Sequence, residues 1–161
     1  MEFLDVVNER DEIVSKAPKS EVHAKKLPHR IAHIFVFNDK GEMALQMRGN
    51  VAFCPYHWCT AAAGHVRSGE SCVQAALREL EEELGIRFDI EFVRKDFYED
   101  AQGLKLFLYS FNGKSNGPFN PNPREVERVE FFPIDKINKM VTAGEKFHPE
   151  LLFILEKHFG F

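Results

Sequence analysis

Glu79, Glu82 and Glu83 stand close together near the middle of a chain of 161 residues. Residues three and four apart share one face of a helix, so these carboxylates would crowd onto a single stripe. Their mutual repulsion is relieved if they share a hard cation, and Mg²⁺ prefers oxygen ligands. Arg78, four residues before Glu82, can steady that carboxylate. Taken alone, a Glu-rich stripe usually reads as a solvated helix face. The surrounding segment from Gly64 to Ile86, GHVRSGESCVQAALRELEEELGI, changes that reading. Ser71 and Gln74 have capping-box spacing, which predicts a helix starting near Cys72. Gly85 suits the left-handed residue just past its end. Val73, Ala76, Leu77, Leu80 and Leu84 gather on an apolar stripe beside the glutamates.

The flanking pattern must supply a scaffold for this segment. Residues 3–7 and 12–14 predict an N-terminal hairpin around the turn NERD. Ser20 is placed to cap a short helix over 21–27, before Pro28. Residues 31–38, 42–48 and 57–63 read as strands, the last running into Gly64. Residues 90–98, 104–111 and 126–132 read as further strands, with 113–123 (GKSNGPFNPNP) a loop between the last two. Residues 134–141 and 149–158 read as helices, Pro149 suiting a first helical position. The mixture is α/β, a sheet between helices, and no repeat or linker divides it. One domain over 1–161 is predicted: hairpin and short helix in 1–28, the glutamate segment in 64–86 and C-terminal helices in 134–161.

Composition narrows the partners. The net charge is −4 without a long basic run, so a nucleic acid polymer is not the expected partner. A small anionic substrate would need a metal or local Arg and Lys. Sixteen Phe residues predict an aromatic-rich core or pocket. Three cysteines, Cys54, Cys59 and Cys72, form no CxxC pair and suggest a reducing compartment. No apolar run suits a membrane span and no signal peptide is seen, so a cytoplasmic location is the expectation. The hairpin can extend the sheet or pair across a homodimer.

Gly64, Glu70, Arg78, Glu79, Leu80, Glu82, Glu83, Gly85 and Ile86 match the pattern GX5EX7REUXEEXGU without a gap. This resembles the Nudix box, the motif of the Nudix hydrolases. The resemblance implies a Nudix α/β/α sandwich with a mixed β-sheet, here with an N-terminal β-hairpin extension. It implies Mg²⁺, with Mn²⁺ as a possible substitute, held by the Gly64 carbonyl, Glu79, Glu82 and Glu83. Glu70 and Arg78 become structural residues that fix the loop against the helix. The implied reaction is hydrolysis of a phosphoanhydride in a nucleoside di- or triphosphate, or in another diphosphate linked to a second group. Glu79 and Glu83 are the candidates for taking the proton. Glu125 and Glu127 sit where some relatives supply a further metal ligand or base. Arg48 and Arg67 are candidates for gripping phosphate, and Phe53, Trp58, Phe97 and Phe119 for stacking on a base.

A second resemblance reaches outside the box. His29 to Asn38 and Trp58 to His65 look like isopentenyl-diphosphate isomerase, a Nudix-fold enzyme that uses a cysteine and a His/Glu metal site. His29 and His65 fit its pattern, and His23 is one residue out of register. The cysteine position falls on Ala63, and Cys59 lies too far along a strand to replace it. Gln102-Gly-Leu104 lacks the isomerase's Glu pair. His23, His29, His33 and His65 therefore read as structural or pocket residues. Isomerase activity and a non-catalytic nucleotide-sensing Nudix domain are the two alternative expectations.

Overall fold

Alternation along one strand sets the layers. The computed structural model describes residues 1–161. In strand β3 (His29–Phe37), Ile31 and Phe35 join one core cluster, while Ala32, Ile34 and Val36 join the other. Side chains on a strand alternate in this way, so β3 is covered on both faces. It runs parallel to β8 (Lys105–Lys114) and antiparallel to β6 (Ala62–His65). It meets β4 (Met43–Arg48) only where Phe37 pairs with Met43. β4 pairs with β5 (Trp58–Thr60) and β9 (Val126–Phe132), and β7 (Ile90–Glu99) edges β8. The single strand expected over 57–63 is two strands, because the chain changes neighbours at buried Ala61.

Helix α2 (Cys72–Leu84) covers one face, burying Ala75, Ala76, Leu80 and Leu84. Val73 points away and is 42% exposed, so the apolar stripe is rotated slightly from the sequence expectation. Helices α3 (Ile134–Thr142) and α4 (Pro149–His158) cover the other face with Ile137, Met140, Leu151, Ile154 and Leu155. The architecture is the expected α/β/α sandwich with a mixed sheet.

The N-terminal hairpin is present as β1 (Phe3–Val7) and β2 (Ile13–Pro18), a separate two-stranded sheet. Helix α1 (Lys19–Ala24) starts earlier than expected. Pro18 occupies its cap position and Ser20 lies inside it, so no side chain caps that end. The hairpin is held to the main sheet through Asp11, a buried turn residue at φ 61°. Arg30 Nε donates to its carboxylate at 2.7 Å and Lys95 Nζ at 3.3 Å, and the Tyr109 hydroxyl donates as well. Asp11→Ala would strip the carboxylate partner from a largely buried Arg30 and leave it only the backbone carbonyl of residue 11. That loss costs about 2–4 kcal/mol of unfolding free energy in urea titrations. A change below about 0.5 kcal/mol, the size typical of a surface site, would mean that Asp11 does not latch the hairpin.

Candidate active site

The box helix is placed by local chemistry. Ser71 Oγ accepts from Gln74 N, and the Gln74 side chain accepts from Ser71 N, a complete capping box. Gly85 ends the helix at φ 69°, where a Cβ would strike Asn120. The following loop closes that end further. Asn120 N donates to Leu84 O at 2.8 Å and Asn122 N to Glu83 O at 3.0 Å.

One arginine ties the helix to the loop before it. Arg78 Nε and Nη2 grip the two Glu70 oxygens at 2.7 and 2.9 Å, and Nη2 also donates to the His65 carbonyl at 2.9 Å. Glu70 in turn accepts from Arg67 N at 2.9 Å. Arg78 Nη1 reaches Glu79 at 2.7 Å and Glu82 at 3.3 Å. The carboxylate repulsion inferred from sequence is thus partly offset by the guanidinium beside it.

Glu79 and Glu83 are turned inward, whereas the Glu82 side chain is 45% exposed. Glu79 lies against Gly64, and a Cβ there would collide with its carboxylate. A side chain at position 64 would push the Glu79 carboxylate out of this place. Glu83 Oε1 accepts from Gln46 Nε2 at 2.8 Å and from Ala63 N at 3.1 Å. Burial pushes Glu79 up to about 7, against the pull of Arg78. Burial, with Glu79 nearby, holds Glu83 well above the usual carboxylate range. The two titrate as a pair, each resisting a second negative charge. Such oxygens suit a divalent cation, which replaces the shared proton by charge. No three His, Cys, Asp or Glu side chains converge as a ready-made cage, and Arg78 stands between Glu79 and Glu82.

The remaining candidates divide. Glu125 is close enough for its charge to raise Glu79 and Glu83. Glu127 is exposed and pairs with Arg128 at 3.2 Å. Arg48 Nε donates to Phe53 O at 3.1 Å, which anchors the β4–β5 loop. Arg67 reaches Glu2 of the hairpin at 3.3 Å and Glu82 at 3.9 Å. Phe53 is 59% exposed at the tip of the β4–β5 loop. Trp58 is a correction: it is buried, its indole donates to Glu145 at 3.2 Å, and Phe132 and Arg128 cover it. No base can reach its face. Phe119 is likewise packed on Phe131 against the box-helix core. Phe97 is exposed, but it lies on edge strand β7 against Phe107, the far side of the sheet from Phe53.

The histidines read from sequence as structural or pocket residues form a polar group on the α4 face of the sheet, joined by Glu150, which sequence reasoning missed. The rings of His23, His29 and His65 sit 5.0–5.7 Å apart, centroid to centroid. His23 Nε2 and His65 Nε2 are 3.1 Å apart, so one donates to the other. Burial and His29 push His65 down to about 3, leaving it neutral. No carboxylate joins them from the Gln102 turn, where the Gln102 carbonyl instead accepts from Lys26 Nζ at 3.3 Å. Cys59 is no substitute thiol, since burial pushes it up to about 12. Next to this group, buried His33 donates from Nε2 to Glu150 at 2.9 Å, and its Nδ1 is hydrogen-bonded to the Thr60 hydroxyl at 2.8 Å. Pro149 at the first position of α4 was the only local signal, and it marks the helix rather than the carboxylate.

The site is thus a pair of inward carboxylates on one helix of a mixed-sheet α/β/α sandwich, Glu79 set against Gly64 and Glu83 against Gln46 and the Ala63 amide. Residues 27–152 match the family model described as the NUDIX domain. The chain is 34% identical over 131 residues to a Nudix hydrolase of Pseudomonas aeruginosa whose activity is uncharacterised, covering 81% of this chain and 78% of that one. It is also 34% identical over 164 residues to an isopentenyl-diphosphate Delta-isomerase of Serratia proteamaculans, covering 96% and 90%. A crystal structure from Deinococcus radiodurans superposes with a TM-score of 0.85 at 23% identity, over 97% of this chain and 98% of that one. This chain belongs to the Nudix hydrolase family and is a hydrolase. No helix in it is long and apolar enough to cross a membrane.

Proposed function

We propose that this hydrolase cleaves a phosphoanhydride in a diphosphate linked to a second group, with a nucleoside di- or triphosphate or a nucleotide conjugate as the substrate class. The observation that carries the reading is the pair Glu79 and Glu83, two buried carboxylates on an intact box helix, both titrating above their usual range. Buried oxygens of that kind fit Mg²⁺, with Mn²⁺ as substitute, and the Gly64 carbonyl, Glu79, Glu82 and Glu83 would hold it. Bound there, the cation supplies charge neutralisation at the phosphoryl oxygens and a lowered water pKa.

The chain's own residues do the rest. Glu79 or Glu83 takes the proton of the attacking water, since burial raises the basicity of both above that of an ordinary carboxylate. Gln46 and the Ala63 amide fix the Glu83 oxygen, so its unbonded oxygen faces a constant direction. Glu70 and Arg78 keep the Gly64 strand against the helix. Arg48 and Arg67 are the cations available to the phosphates, and Glu125 the further carboxylate.

Purified protein with Mg²⁺ or Mn²⁺ is expected to release phosphate or nucleoside monophosphate from members of a diphosphate panel. Release from none of them sinks the reading. The relative in Serratia gives the isomerase a hearing, but Ala63 stands where that enzyme needs its cysteine. Formation of dimethylallyl diphosphate from isopentenyl diphosphate would favour it. Tight nucleotide binding without turnover would favour the sensing alternative.

A further inference from the structure

Glu150 is a carboxylate on the α4 face of the sheet that the proposed chemistry does not use; Asp96, also buried there, is taken up by Lys157 and His158. The Glu150 side chain is 15% exposed and stands beside His33 and His148, at the border of a layer packed with Leu, Ile and Phe. Oxygen Oε1 accepts from His33 Nε2. Oxygen Oε2 has no partner and is not sealed from solvent. His33 satisfies one oxygen, and the second is left to accept a further hydrogen bond.

Its position is set by an unbroken path from the box. Glu83 holds the Ala63 amide. Ala63 lies opposite His33 in the β3–β6 register, and His33 holds Glu150. The two carboxylates are therefore linked through one residue pair of the β3–β6 ladder. Beside Glu150, the His148 ring accepts from Glu150 N at 3.2 Å and meets the exposed Phe53 ring edge-on at 5.4 Å. Phe53 is presented by a loop whose Cys54 and Tyr56 adopt positive φ, 50° and 57°. Arg48 holds that loop by the Phe53 carbonyl.

We propose that Glu150 and Phe53 form the subsite for the group beyond the phosphates, and that this group is a nucleobase bearing an exocyclic amino group. The inference rests on the hydrolase reading above and deepens it. An ionised carboxylate only accepts hydrogen bonds. It therefore favours an amino group and repels the carbonyl oxygen that replaces it in uracil or hypoxanthine. It also disfavours an isoprenoid tail, which would have to desolvate the charge without satisfying it. Phe53 supplies a face for stacking, which is tolerant of base identity. Glu150 supplies the discrimination.

The test compares cytidine with uridine diphosphate, and adenosine with inosine diphosphate, in wild type and in Glu150→Gln. Turnover and equilibrium binding are both measured, with methyl diphosphate as a substrate too short to reach the subsite. Wild type is expected to prefer the amino-bearing base by about tenfold or more, the size of a charge-assisted hydrogen bond gained or lost. Glutamine offers a donor as well as an acceptor, so the preference should fall to within about threefold. The change should appear in KM, with kcat and methyl diphosphate turnover retained. Base preference that survives Glu150→Gln overturns the proposal, as does an equal loss on every substrate including methyl diphosphate. Base-selective binding without turnover supports the subsite while overturning the hydrolase reading, so the two fail separately.

Discussion

Glu83→Gln is expected to give a folded protein that has lost about a thousandfold in kcat/KM, the scale of a missing proton acceptor or charge stabiliser. The same variant should melt higher than wild type at pH 8 without added metal. Both effects follow from one geometry. Glu83 Oε1 accepts from Gln46 and from the Ala63 amide, and a glutamine oxygen can accept both bonds unchanged. The helix therefore keeps its seat on the sheet. What disappears is a charge that burial and Glu79 resist. Wild type tolerates that charge because a cation or a proton is expected to share it, so removing it relieves the metal-free protein and disables the enzyme. Circular dichroism melts and initial rates on one active diphosphate check both halves. A variant within threefold of wild-type activity would remove Glu83 from the site, and an unfolded variant would show that its role is structural.

The parts of this site that were legible in sequence are those written in short spacings. The capping box of Ser71 and Gln74, the left-handed Gly85 and the Glu79/Glu83 stripe are each decided within one or two helical turns. The alternating strands were legible for the same reason, although the break at Ala61 was not, since a change of strand partner leaves no local trace. Ser20 misled because a good capping residue lost its place to Pro18, whose fixed φ already suits the start of α1. Trp58 looked available for stacking only while its neighbours Phe132, Arg128 and Glu145 were unknown. The His33–Glu150 pair spans 117 residues of sequence. No pattern within one strand or one helix announces such a contact, and Asp11 with Tyr109 is hidden in the same way. The local geometry of the box was therefore readable from the chain, whereas the long-range contacts around it were not.

Glu79→Gln should become more stabilising, relative to wild type, as the pH rises from 4.5 to 7, and added Mg²⁺ should reverse that ranking. Glu79 has its folded pKa raised from 4.5 to about 7. Below pH 4.5 the folded and unfolded chains both hold the proton, and Glu79 adds no pH dependence. Between the two values the unfolded chain has released its proton and the folded chain has kept it. The folded state then binds more protons, so stability falls as pH rises. Above pH 7 the penalty is complete, two and a half pH units or about 3 kcal/mol. Histidines oppose this trend in the wild type, which is why the difference between the two proteins is the quantity to follow. His65 and His148 are pushed down to about 3 and about 4 by burial, so their contribution is present above pH 6.5 and is lost on acidification. Both proteins carry that term and it cancels. Mg²⁺ stabilises whichever folded chain binds it, by an amount that grows with free metal over Kd. Wild type should gain most above pH 7, where Glu79 is already ionised, and Glu79→Gln should gain little. Melting curves from pH 4.5 to 8.5, with chelator and with millimolar Mg²⁺, read all of this. A stability difference that stays flat with pH would mean that Glu79 titrates as an ordinary surface carboxylate. Equal Mg²⁺ shifts in both proteins would place the cation elsewhere than at the box helix.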